Sequence, residues 1–378
     1  MDKKLKKYLL SVILGVNIAA CATSSCAINE APVKAEKIED ISDEEFLKEL
    51  QEMIDTDDDL KEIKVCVEDE FIKDSYFFEE YAKYMDKRAI LNKLKDMKYE
   101  KCEKDKKDDF LKENETAVGY YDPNTNKIVV IDDEYTSAVS DHEFIHFMSF
   151  CGFNTFDTAI INETITELMT NSLENHDYMQ ASYLLNNNYI IPLITILGKE
   201  KVCETYFKAD TNGFIKEISK YTDKSDELFK ALAEINLCDS EIVKSTELDN
   251  SKTTETRKKY LAKYWNILSE MYKNKYNQNI YDNEFYMVFA RQSGLDGINL
   301  KIDINDKNRD YTTIKYNPFS KEKYLKLDFC NMSSKLDFSF SVADVIPDVE
   351  TYYVDTDGNY YTLSDSKEYE PLNKSLTR

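Results

Sequence analysis

Residues 135–173 read YTSAVSDHEFIHFMSFCGFNTFDTAIINETITELMTNSL. Within this stretch His142-Glu143-Phe144-Ile145-His146 spell an H-E-x-x-H pattern inside text of helical spacing. Residues four apart on a helix share a face. Both imidazoles can therefore reach one tetrahedral zinc at about 2.0–2.1 Å, while Glu143, rotated about 100° around the axis, faces the coordination position left open for water. Val139 before the motif and Phe147 and Met148 after it are apolar, as a helix needs where burial must hold ligands rigid. The whole chain carries only 3 His, so two of them at this spacing around a glutamate form a specific signal.

A catalytic zinc takes three protein ligands and leaves one position open. The same stretch supplies the third: in Asn162-Glu163-Thr164-Ile165-Thr166-Glu167 two carboxylates lie four apart on the next expected helix, from Asp157 to about Leu173. Glu163 is read as the ligand. Glu167 is read as the acceptor for the far ring nitrogen of a ligating histidine, which fixes its tautomer. Two such carboxylates could equally be solvated surface groups. Ile160, Ile161, Ile165, Leu168 and Met169 around them favour a buried face instead.

These residues resemble the gluzincins, HExxH zinc metallopeptidases of the thermolysin-like clan whose third ligand is a glutamate on a following helix. The likeness covers about residues 115–175, with NExxxE where NExxxD is more familiar. It extends weakly to Ile196-Leu197-Gly198 and Tyr206-Phe207, as in compact bacterial members. The resemblance implies one Zn2+ per chain on His142, His146 and Glu163, with Glu143 as general base. It implies a peptide or protein substrate, added as a strand along the edge of Lys127–Ile131. The thermolysin subfamily places a further histidine well downstream to stabilise the tetrahedral intermediate, and none stands here. His176 reads as a surface or capping residue, and Tyr178 and Tyr183 are candidates for that donor. Phe144, Phe147 and Phe153 could line an apolar subsite, although helically spaced aromatics more often belong to a core.

Outward from the motif, Ala117–Tyr121 and Lys127–Ile131 are β-prone runs around the turn formers Asp122-Pro123-Asn124-Thr125-Asn126, a hairpin. Upstream, Ser42 and Glu45 make a capping box before a first helix, a second helix is expected over Tyr76–Met97, and 101–115 is a hydrophilic loop. Downstream, helical text runs from Tyr178 to Tyr276 with breaks near Gly198, Thr211–Gly213 and Asp239. Short strands are expected at Phe285–Phe289, Asn299–Ile304, Tyr324–Phe329, Leu336–Val342 and Tyr352–Leu363, the last bent at Asp357-Gly358. The fold class expected is α+β: a helix-rich, zincin-like catalytic domain with a small sheet at 41–276, then a β-rich C-terminal module at 277–378.

The N-terminus has a different character. Lys3, Lys4, Lys6 and Lys7 precede a short apolar run to Ala20, the pattern of a signal peptide over 1–20. Ile18-Ala19-Ala20-Cys21 resembles a bacterial lipobox, which makes Cys21 the expected lipidation site, and the small polar stretch over 21–40 a tether. The chain is thus expected outside the cell, on the bacterial membrane as a lipoprotein or else secreted. A net charge of −23 argues against nucleic acid and against any membrane contact other than such an anchor. Cys26, Cys66, Cys102, Cys151, Cys203, Cys238 and Cys330 form no CxxC pair, and Cys151, although close to His146, reads as a buried free thiol rather than a ligand. The competing class is a non-catalytic surface lipoprotein on a zincin-like scaffold. Such a protein would have no use for Glu143.

Overall fold

The computed structural model describes residues 41–57, 60, 63, 76–103, 119–131, 136–153, 158–173, 181–244, 251–298, 309–321, 323–331, 349–364 and 366–372. Over these the fold is α+β, a helical body with one small sheet followed by a second, C-terminal sheet. Cys21, His176, Tyr178 and the strands expected at Asn299–Ile304 and Leu336–Val342 lie outside the described residues.

Helix α1 (Asp43–Thr56) begins where the capping signal placed it: the Ser42 hydroxyl accepts from the Glu45 N–H at 3.1 Å. Phe46, Leu50 and Ile54 then fall on one buried face. The single helix expected over Tyr76–Met97 is instead two, α2 (Tyr76–Tyr81) and α3 (Lys87–Leu94), joined by a 3-10 turn. The reason is local, because the Asp86 carboxylate accepts from the Ala89 N–H at 3.0 Å and caps a new helix.

The first sheet has the order β1-β3-β2, with β1 at Lys98–Cys102, β2 at Gly119–Asp122 and β3 at Lys127–Ile131. Strands β2 and β3 form the expected antiparallel hairpin, and β1 joins β3 in parallel. This corrects the expectation of a free edge at Lys127–Ile131. Strand β3 is central, both its edges are paired, and the sheet's outer strands are β1 and β2. Charged Lys98-Tyr99-Glu100-Lys101 did not read as a strand because its side chains are largely exposed; parallel pairing to the apolar β3 holds it.

Helix α4 (Thr136–Met148) packs on this sheet and carries the motif. Gly119 of β2 faces Val139 so closely that a Cβ there would overlap the valine methyl, so glycine lets helix and strand meet. Phe147 stands edge-on to Tyr121, ring centroids 5.8 Å apart, and the Tyr99 hydroxyl bonds the Ser140 hydroxyl at 2.7 Å. Phe144, Phe147 and Phe153 are all buried in the core.

After α4 the backbone turns through three successive left-handed residues, Phe150, Cys151 and Gly152. The Phe153 N–H then donates to the Asn162 side chain at 3.0 Å, which ties the turn to α5 (Ala159–Thr170). Helix α6 (Ala181–Leu197) ends at Gly198, whose φ of +99° suits glycine. Then follow α7 (Lys199–Tyr206), α8 (Thr211–Ile218), α9 (Ser225–Lys244) and α10 (Ser251–Tyr276). The break expected near Asp239 does not fall at that residue, because α9 runs past it to Lys244. That residue sits inside α9, where its carboxylate accepts from Arg257 Nε at 2.5 Å and from the Tyr189 hydroxyl at 3.2 Å, tying together α9, α10 and α6.

Phe285–Phe289, expected as a strand, belongs instead to helix α11 (Glu284–Gln292), capped by the Asn283 side chain. Its run of apolar and aromatic residues is buried nearly all round, and a helix buried on every side loses the periodicity that would reveal it. The second sheet follows, in the order β4-β5-β6-β7-β8: Arg309–Lys315, Leu325–Asn331, Val349–Val354, Tyr360–Leu363 and Tyr369–Pro371. It is docked on the body. Leu325, Leu327 and Val354 enter the core, Tyr360 donates to Glu284 at 3.2 Å, and the Asn283 amide reaches the Thr356 carbonyl at 2.9 Å. In the segment before β5, Asn317 donates to the Leu168 carbonyl of α5 at 2.6 Å, so this C-terminal part braces a helix of the site. No helix among the described residues is long and apolar enough to cross a membrane.

Candidate metal centre

Helices α4 and α5 bring His142, His146 and Glu163 together. The two Nε2 atoms are 3.1 Å apart, His142 Nε2 is 3.4 Å from Glu163 Oε2, and His146 Nε2 is 3.4 Å from Glu163 Oε1. Zinc bonds of about 2.0–2.1 Å at tetrahedral angles place neighbouring ligand atoms about 3.3–3.4 Å apart. The triangle formed by these three groups therefore fits one tetrahedral cation. Its donor set, two imidazoles and one carboxylate, is one that zinc accepts.

Each imidazole is also held from behind. His142 Nδ1 lies 3.2 Å from Glu167 Oε2, while Glu167 Oε1 takes a hydrogen bond from the Asn171 amide at 3.2 Å. Glu167 thus stands where the four-residue spacing put it. His146 Nδ1 faces the Thr166 hydroxyl at 3.4 Å, and that hydroxyl meets the buried Tyr206 hydroxyl at 2.5 Å. Sequence reasoning missed both partners. Thr166 could have been found, since it is three residues after Glu163 and so on the same helical face. Tyr206 comes from another helix 40 positions away, with no local signal.

Glu143 shares this pocket, nearly buried, without joining the ligand triangle. Burial raises its carboxyl above the ordinary range; the imidazoles of His142 and His146 and the Tyr121 backbone N–H that it accepts offset this only in part. Tyr121 belongs to the outer strand β2, so the sheet also helps to place this residue. Burial alone would lower the His142 pKa, but hydrogen bonds to Glu163 and Glu167 and the charge of Glu143 outweigh it and push it up to about 10. Glu163 moves oppositely: burial would raise it, yet the two imidazoles hold it well below its usual value.

Two further expectations can be placed. Cys151 keeps its thiol outside any disulfide, half-buried in the turn after α4 and not among the three grouped ligand residues. Tyr183 lies in α6, and its side chain is outside the described residues. Comparison with family models, with curated proteins and with solved structures finds no match to this chain.

Proposed function

We propose that the protein is a zinc-dependent peptidase that hydrolyses peptide bonds in extracellular peptides or proteins. One observation carries the reading: two imidazole nitrogens 3.1 Å apart, each 3.4 Å from one oxygen of the Glu163 carboxylate, with a buried glutamate beside them that is not part of the set. A binding protein needs the triangle only; a hydrolase needs a base next to it.

When bound at His142, His146 and Glu163, zinc would supply Lewis-acid polarisation and acidify water near neutrality. The chain's own residues do the rest. Glu143 takes a proton from the attacking water and returns it to the leaving amine, and burial, which raises its pKa, makes it a stronger base than an exposed glutamate. Glu167, pinned by Asn171, keeps His142 in the tautomer that leaves Nε2 bare. Export by the N-terminal segment, with lipid on Cys21, belongs to the same proposal, supported by the Lys-rich start and the Ala-Ala-Cys sequence.

The test is incubation of the purified mature protein with a diverse peptide library, with and without a chelator. Chelator-sensitive cleavage is expected. Stoichiometric zinc with no cleaved peptide would instead favour the non-catalytic surface lipoprotein.

A further inference from the structure

The two imidazoles of the triangle are supported by chemically different groups. Behind His142 stands a carboxylate, and behind His146 a neutral hydroxyl that is itself engaged on two other sides. Thr166 Oγ1 lies 2.9 Å from the Asn162 carbonyl, 2.5 Å from the Tyr206 hydroxyl and 3.4 Å from His146 Nδ1. A threonine hydroxyl has one proton to give and two lone pairs to offer. The carbonyl of Asn162 can only accept, so the threonine proton goes there. The two remaining positions then suit donors, which the Tyr206 O–H and the His146 Nδ1–H can supply. The buried Ser149 hydroxyl, on the α4 helix that carries His146, stands beside the phenol and donates to the His146 carbonyl at 3.2 Å.

We propose that Tyr206 is a positioning residue for the metal centre, acting through Thr166 to hold His146 in the tautomer with the proton on Nδ1 and Nε2 free for the cation. This rests on the zinc reading above and adds to it the means by which the second imidazole is set. Without the tyrosine donor, the threonine hydroxyl is free to rotate and can give its proton to Nδ1. The ring then carries its own proton on Nε2, the atom the metal requires.

The surrounding structure is shaped to admit this tyrosine. Its ring is fully buried, edge-on to Phe153 at 5.7 Å and to Phe207 at 5.4 Å. A Cβ on Gly152 would overlap that ring and the Asn162 amide, so the left-handed glycine after α4 clears the path along which Tyr206 reaches α5. Burial raises the phenol well above its ordinary pKa, despite its bonds to Ser149 and Thr166, so it stays a donor at working pH.

The test compares the parent protein with Thr166→Ser, Thr166→Val and Tyr206→Phe. It measures zinc dissociation constants by chelator competition, the visible spectrum of the cobalt-substituted proteins, and imidazole 15N shifts. With only 3 His in the chain, each ring can be assigned. Thr166→Ser keeps the hydroxyl and should bind zinc within about threefold of the parent. Thr166→Val, the same size without it, should weaken binding about 10–100-fold, the range for loss of an outer-sphere partner. Tyr206→Phe keeps both ring contacts and should weaken binding severalfold, alter the cobalt spectrum, and move the His146 ring of the ion-free protein toward the Nε2–H tautomer. A parent-like 15N pattern and parent-like affinity in both Thr166→Val and Tyr206→Phe would overturn the proposal. If Thr166→Val fails to fold, Tyr206→Phe alone decides. A parent that binds no zinc defeats the function proposed above and this inference with it; a parent that binds zinc beside indifferent variants defeats this inference alone.

Discussion

Replacing Glu143 by glutamine separates an enzyme from a metal-binding scaffold, and the structure fixes what should and should not change. Glu143 contributes none of the three ligand atoms, and its carboxylate accepts the Tyr121 N–H. The amide oxygen of glutamine can accept the same N–H in the same volume, so packing is retained. Its charge interacts favourably with His142 and His146 and unfavourably with Glu163, so removing it produces opposing changes at the metal. Zinc affinity should therefore stay within about fivefold, under about 1 kcal/mol when tenfold is 1.4 kcal/mol. An amide cannot take up a proton from water at neutral pH. Cleavage should fall about 10²–10⁴-fold, or about 3–5 kcal/mol of barrier. The assay is kcat on a verified peptide, with zinc content and thermal midpoint measured on the same preparation. A Glu143→Gln protein that holds zinc and cleaves as fast as the parent refutes the role given to Glu143.

Elemental analysis should find about one zinc per chain, lost in His142→Ala, His146→Ala and Glu163→Ala; stoichiometric zinc in all three would place the metal elsewhere. Glu163, Glu167 and Glu143 raise the His142 pKa to about 10 and zinc must compete with its proton, so apparent affinity should rise about tenfold per pH unit from about pH 6.5 to 9, and a flat profile would contradict the raised pKa. The same shift bears on the ion-free protein: a pKa raised from 6.5 to about 10 stabilises the fold fully below 6.5 and is lost as pH climbs through about 10, so its thermal midpoint should decline across that window. Mass spectrometry of the native protein should find diacylglycerol on Cys21 as the first residue; an unlipidated start further on would reject anchoring and leave export intact.

What could be read from the sequence was whatever repeats with the period of one element. The four-residue spacings His142/His146 and Glu163/Glu167 put the triangle and its first support in view, because residues on one helix face need no tertiary information to be neighbours. The hairpin around Asp122–Asn126 and the cap at Ser42 were legible for the same local reason. Contacts between elements were not. Tyr206 meets Thr166 across 40 residues, β1 is a strand only because β3 lies alongside it, and α11 hides its helical period by being buried all round. Asp239 shows the converse failure. A break was expected near it, whereas inside the packed helices Arg257 pairs with its charge and the Tyr189 hydroxyl donates to it.

The same division explains how the site is made rigid. The ligands come from two helices adjacent in sequence, but nothing local holds α4 and α5 at the distance the triangle requires. That distance is set by a glycine on β2 that admits Val139, by the Asn162 amide on the turn after α4, by Tyr206 reaching from α7, and by Asn317 on the Leu168 carbonyl from beyond the helical body. Four elements outside the motif thus converge on two helices. Errors of about 1 Å in ligand placement cost catalysis heavily, so the hydrolytic role proposed for this site would call for bracing of this kind. A surface helix pair carrying the same five-residue motif by chance would have no reason to gather it.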